Sequence, residues 1–224
     1  MDGRITDSAL RSPNARERLL SAARSLFYCK GIHATGVERI AEQARVSKRT
    51  MYQQFSGKTD LVLQYLRRID DTGGIPMEQA LFTPGATPRN RLLAIFDSPP
   101  ADRFRGCPFH NAAVEAADEM ASVHDIVHEH KLQFIARLTD AAAQVGARDP
   151  YQLGHQLAVL FEGALALATS LNDTAALIHA RSAAEVLIDT AVAAPPKRAL
   201  ASSRPSVAWP GSASAAVCRR HSRS

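Results

Sequence analysis

Apolar residues recur at spacings of three and four along most of the 224-residue chain, and almost no segment alternates with period two, so the sequence predicts an all-α fold. Leu19, Leu20, Ala23, Leu26 and Phe27 make one apolar stripe on a helix from about Asn14 to Lys30, with Gly31 as its C-cap. Thr35-Gly36-Val37-Glu38 has capping-box spacing. Its Thr35 hydroxyl is expected to accept from the third backbone N–H while Glu38 reaches back, starting a short helix over 36–44 that buries Val37, Ile40 and Ala41. Ser47 offers an N-cap for a helix of barely two turns ending near Phe55. Ser56 offers another for a helix from Gly57 to about Ile69.

Two short helices separated by Arg45 and Val46, behind a longer supporting helix, have the organisation of a helix-turn-helix unit. On the second, Val46, Met51 and Phe55 face the core, while Lys48, Arg49, Thr50, Gln53 and Gln54 are exposed and able to reach bases or phosphates. A plain solvated helix would share this pattern. Charge favours the DNA reading: residues 1–68 carry a net +7, residues 69–194 carry −8 and residues 195–224 carry +6, within an overall +5. A basic first third on an acidic body suits a polyanion, because cations that neutralise phosphates release condensed counterions.

From Arg16-Glu17-Arg18-Leu19-Leu20 through Leu26-Phe27, Gly31, Thr35-Gly36-Val37, Ile40-Ala41 and Ser47 to Tyr52, Phe55, Lys58 and Leu61, residues 16–66 resemble the DNA-binding domain of the TetR family of bacterial transcriptional regulators. The resemblance implies a dimeric repressor-type protein with a three-helix head and a helical body that binds a ligand. By position it implies backbone contacts from Tyr52 and Lys58, a phosphate contact from Thr35, and a major-groove face made of Lys48, Arg49 and Thr50, with Ser47 and Gln53 beside them. Two positions depart from the pattern. Arg45 stands where the turn commonly has glycine, implying a left-handed residue at a cost of about 1 kcal/mol, and Gln53-Gln54 replace a pair that is often aromatic or histidine.

Beyond residue 70, Gly73-Gly74, Pro76, Pro84-Gly85 and Pro88 predict a loosely structured connection over 70–87. Thr87-Pro88 then starts a helix to about Asp97, which Pro99-Pro100 ends. Phe104-Arg105-Gly106-Cys107-Pro108-Phe109-His110-Asn111 resembles a Gly-Cys-Pro-aromatic loop found in one branch of the family. Further helices are expected over 108–118, 122–145, 150–171 with Asp149 as cap, and 173–193. The helix after Asp149 is apolar around most of its circumference. With the last helix it is expected to pair with a second copy through Leu153, Leu157, Leu160, Leu165 and Leu187, the alternative being a helix buried wholly within one chain. Phe104, Phe109, Phe134 and Phe161, with His110 and Asn111 as orienting polar groups, are the expected effector pocket; otherwise these aromatics are plain core.

Three other signals carry chemistry. His124 and His128 lie at i and i+4, the spacing of a zinc helix, with His130 nearby, and support an alternative reading as a helical metal-dependent enzyme. Ser56-Gly57-Lys58-Thr59 imitates the end of a phosphate-binding loop but has Tyr52 where that loop needs glycine. Cys107 lacks any Cys-rich surroundings and is expected to be packing; it is one of three widely spaced cysteines, which argue against a disulfide framework. The longest apolar run, 157–169, is interrupted by Glu162 and falls short of the ~18 residues of a membrane span.

The sequence therefore predicts a cytoplasmic, homodimeric, ligand-responsive DNA-binding regulator. It is expected to be a repressor released from a palindromic operator by a small molecule, with no catalytic role, metal or cofactor. The expected organisation is a flexible basic arm (1–13), a helix-turn-helix domain (14–56), a connecting helix (57–70), a ligand-binding and dimerisation domain (71–194) and a disordered basic tail (195–224).

Overall fold

The computed structural model describes residues 14–97, 104–115 and 120–193; the expected arm and tail, and the Pro99-Pro100 break, lie outside them. The described residues form helices and no strand: α1 (Ala15–Lys30), α2 (Val37–Gln43), α3 (Lys48–Gln54), α4 (Lys58–Asp70), α5 (Pro76–Gln79) with a 3-10 turn (Ala80–Phe82), α6 (Pro88–Ala94), α7 (Pro108–Glu115), α8 (Ala121–Gln144), α9 (Pro150–Leu171) and α10 (Ala175–Val192).

Helix starts follow local chemistry wherever the cap side chain is free to turn back. Asn14, Ser47, Thr87 and Asp149 each accept from the backbone N–H three residues on, at 2.9, 3.0, 3.2 and 2.9 Å. Two expected caps are corrected. Thr35 is wholly buried and donates its hydroxyl inward to Gly31 O at 2.7 Å, leaving Gly36 as the cap of α2. At α4 the cap is Gly57, and the Ser56 N–H donates instead to the Asp60 carboxylate at 3.1 Å.

The turn between α2 and α3 is a Schellman motif. The Arg45 N–H donates to Glu42 O and the Val46 N–H to Ala41 O, at 2.9 and 3.0 Å, with Arg45 at φ 54° in the left-handed region. Glycine is thus dispensable there at a modest strain cost.

The expected loose connection over 70–87 is also corrected. Pro76 opens α5, the Ile75 N–H donates to the Glu78 carboxylate at 3.0 Å, and Ile75, Met77 and Leu81 enter the core. The glycines and prolines that suggested disorder make tight ends instead. Gly74 sits at φ 96° where any side chain would collide with the Glu78 carboxylate.

α8 and α9 pack along their length, and α10 lies on α9. Gly154 permits the α8–α9 approach: a β-carbon there would stand 2.9 Å from the Thr139 backbone nitrogen. α4 touches α1 on one side and α8 on the other. One apolar core runs without a break from Leu19 to Ile188, so the head is seated on the body through α4.

This packing overturns part of the expected dimer surface. Leu153, Leu157 and Leu165 are at most 2% exposed within a single chain, while Leu160 and Leu187 are half-buried. Apolar residues that face outward include Val159, Leu167 and Leu171 on α9, and Ile178 and Val186 on α10. A helix apolar nearly all round does not declare in its sequence which side meets its own chain.

Candidate DNA-binding face and effector clefts

Met51 and Phe55 anchor α3 in the core, which turns Ser47, Lys48, Arg49, Tyr52, Gln53 and Gln54 outward, with Thr50 half-buried. A seven-residue helix is marginal alone, so its ends are held by other groups. The Ser47 and Thr50 hydroxyls hydrogen-bond at 2.8 Å at its start. At its end Arg16 donates to Gln54 O at 2.9 Å and lies over the Phe55 ring at 4.5 Å, while Arg18 donates to Ala44 O at 3.1 Å behind α2. Both arginines satisfy carbonyls at helix C-termini, where the backbone dipoles favour positive charge. Sequence reasoning missed them, since nothing local assigns α1 arginines to helix ends 26 and 38 residues away.

Lys48 is paired with Glu38 at 2.5 Å on the solvent side. That hydrogen bond lowers the Glu38 carboxyl below its ordinary range and raises the Lys48 ammonium. Arg49 has no intramolecular polar partner among the described residues and points to solvent. Lys58 donates to His33 O at 3.3 Å, which places it at the first turn of α4 beside the α1–α2 loop. Ser47, Lys48, Arg49, Tyr52 and Gln53 therefore share one accessible face. Thr35 does not belong to it: its buried, inward-donating hydroxyl cannot reach a phosphate.

The segment preceding α7 joins the head to the body. Tyr28 Oη accepts from the Arg105 N–H at 3.0 Å and donates to Gly106 O at 3.4 Å, and Asn111 holds the loop by donating to Arg105 O at 2.8 Å. One helix further, the Glu115 carboxylate accepts from the His33 N–H at 2.9 Å. Two clefts of about 370 and 710 Å³ flank this joint and share Tyr28 and Gly106 as a wall. His110 and Asn111 line the smaller, and Phe104 the larger.

The other expected pocket aromatics are core. Phe134 packs on Phe161 with ring centroids 5.2 Å apart, Phe161 on Phe96 at 5.9 Å, and none of Phe109, Phe134 and Phe161 lines either cleft. Phe109 instead stacks flat on His130 at 3.5 Å. His130 is fully buried between carboxylates, with Nδ1 2.7 Å from Asp70 Oδ1 and Nε2 3.3 Å from Glu78 Oε1. This unforeseen cluster ties the end of α4 to α5 and α8. His124 and His128 are exposed on α8, and no cluster of three metal-ligand side chains occurs among the described residues. Cys107 accepts a hydrogen bond from Lys131 at 3.3 Å, and burial pushes its thiol pKa up, as befits a packing residue.

No helix among the described residues is long and apolar enough to cross a membrane. Residues 19–65 match the N-terminal domain of the bacterial regulatory proteins of the tetR family, and residues 90–184 match a tetracyclin repressor-like C-terminal domain. A TetR-family transcriptional regulator from Streptomyces coelicolor is 32% identical, with 80% of this chain and 96% of that one superposed at a TM-score of 0.69. A TetR transcriptional regulator from Legionella pneumophila, 18% identical, shares the fold at a TM-score of 0.70 over 79% and 98% of the two chains. The HTH-type transcriptional activator FasR of Mycolicibacterium smegmatis is 41% identical over 83 residues, 37% of either chain, so the chain spans little more than a third of that curated relative's length. The family match supports the regulator reading and not the metal-dependent enzyme alternative centred on His124 and His128: the chain belongs to the TetR family of bacterial transcriptional regulators.

Proposed function

We propose that the chain acts in the cytoplasm as a homodimeric repressor, released from a palindromic operator by a small molecule, and is not an enzyme. The observation that carries this reading is α3, which turns Lys48, Arg49, Tyr52 and Gln53 to solvent while its start is capped by Ser47 and its end is held by Arg16 of α1. Residues 14–56 form the reading head, α4 the connection, and 71–194 the effector and dimer body. The outward apolar side chains of α9 and α10 support pairing with a second copy into a four-helix interface. α4 is the natural transmitter, since it starts at Lys58 beside the DNA face and ends at Asp70 on the buried His130. A ligand shifts DNA binding only by its differential affinity for two settings of that joint.

The test is selection of genomic fragments bound by the full chain, followed by titration of the recovered site. The expected site is two-fold symmetric, with half-sites about one helical turn (~34–36 Å) apart, and is bound by a dimer. Unchanged specific binding by a K48A, R49A and T50A triple variant would refute the assignment of α3. Sedimentation as a monomer at micromolar concentration would refute the dimer.

A further inference from the structure

The larger cleft contains a polar group that the fold leaves without a partner. Tyr65 lies on its wall, only 4% exposed, and packs its ring on Phe27 at 5.7 Å. Its hydroxyl has no hydrogen-bond partner among the described residues. The oxygen itself is not sealed in the core, so a group lying in the cleft can reach it. The surroundings say what would satisfy it. Arg24, which α1 contributes to the same cleft, acts electrostatically on Tyr65, and Arg68 sits one turn beyond Tyr65 on the same side of α4. Neither arginine has an intramolecular polar partner among the described residues. Glu17 also lines the cleft, but two turns from Arg24 along α1, so the Tyr65 end is cationic. Burial raises the Tyr65 pKa, which keeps the hydroxyl a donor. Ile75, Met77 and Phe104 give the cleft an apolar stretch of wall, and the neutral polar Ser21, Ser25, Thr72 and Gln79 also line it.

We infer that the cleft between α1 and α4 binds an apolar organic anion, its charged head accepting from Tyr65 Oη beside Arg24 and Arg68 and its apolar body lying toward Ile75, Met77 and Phe104. The volume of about 710 Å³ suits such a molecule. The cleft touches Tyr28 and Gly106, the hydrogen-bonded joint between head and body, so occupancy bears directly on the position of the head. This inference names the ligand class of the regulator proposed above and rests on that reading only for its effect on DNA.

The experiment compares decanoate, decanol and decylamine by calorimetric titration of the full chain. Decanoate is expected to bind at least about tenfold more tightly than either analogue, as charge-assisted hydrogen bonds are the strong ones. Tyr65→Phe should weaken decanoate about tenfold, leave decanol unchanged and keep the wild-type melting temperature, since it removes only an unpaired hydroxyl. Arg24→Gln should also weaken decanoate selectively. Equal affinity for the three compounds, or decanoate binding that is indifferent to Tyr65→Phe, overturns the site. The same titrations repeated on the DNA complex separate the two readings. Decanoate that binds through Tyr65 yet leaves DNA affinity unaltered sinks the ligand-response reading and keeps the site; DNA release by another compound with no decanoate binding does the reverse.

Discussion

The chain presents two very different outward faces: the polar side of α3, and the apolar side of α9 and α10. On α3 the division between buried and exposed is sharp, since Met51 and Phe55 go in and the cations and amides go out. On α9 it is blurred, with Leu157 fully buried and Val159, two residues on, 74% exposed. A face built for DNA differs in composition from the core behind it. The face proposed for a second copy of the chain resembles its own core, so only packing separates the outward residues from the buried ones.

The largest expected effect tests that distinction directly. Leu157→Asp puts an unpaired charge into the α8–α9 core and should cost roughly 3–5 kcal/mol, abolishing a cooperative melt. Val159→Asp should leave each chain folded and shift the protein from dimer to monomer. Circular dichroism melts and sedimentation of both variants decide the matter. If Leu157→Asp gave a folded monomer, the burial assigned to α9 would be wrong.

The second effect concerns base reading. Arg49→Ala should cost roughly 1–3 kcal/mol on the selected site and relax preference at one base position, if Arg49 makes a bidentate contact. Lys58→Ala should weaken all sequences about equally and reduce the salt slope by about 1. Anisotropy titrations on matched and mutated sites across salt concentrations separate the two. A uniform loss from Arg49→Ala would reassign it to the backbone.

These tests also mark what the sequence could and could not reveal. The N-caps at Ser47, Thr87 and Asp149 were legible because a cap is a contact across three residues. Arg45 in the left-handed turn was legible for the same reason. Thr35 and Ser56 have the right residue types, but a deeper contact claims the Thr35 hydroxyl, and α4 starts one residue past Ser56 with Gly57 as its cap. The α5 turn was hidden because its anchor, Glu78, is buried against His130 more than 50 residues away. The same distance problem concealed the pocket: Phe134 and Phe161 have the composition of a binding site, and only their mutual packing shows them to be core.

A third, smaller effect probes how α3 is held. Arg16→Gln removes the hydrogen bond to Gln54 O and the contact over Phe55, and should lower stability by about 1 kcal/mol. Hydrogen exchange should then rise at the amides of α3 and stay unchanged in α9. Equal loosening of both helices would mean that the two faces are not independently supported.

The smallest effect lies in the Lys48–Glu38 pair, where the DNA face carries its own competitor. Binding a phosphate or base through Lys48 requires that pair to open, and Glu38 adds a negative charge near the DNA. Glu38→Gln should therefore raise DNA affinity, by about two- to fivefold at low salt, and steepen the salt slope. The pH dependence has a fixed sign. Because the pair holds the Glu38 carboxyl below its ordinary range, the carboxylate is fully charged at neutral pH and its restraint on Lys48 is lost only as the pH falls through that lowered value. Wild type and Glu38→Gln should accordingly differ at pH 7 and converge in acid. Titrations from neutral pH downward check this, and a difference that widened with acidification would exclude Glu38 as the restraint on the DNA face.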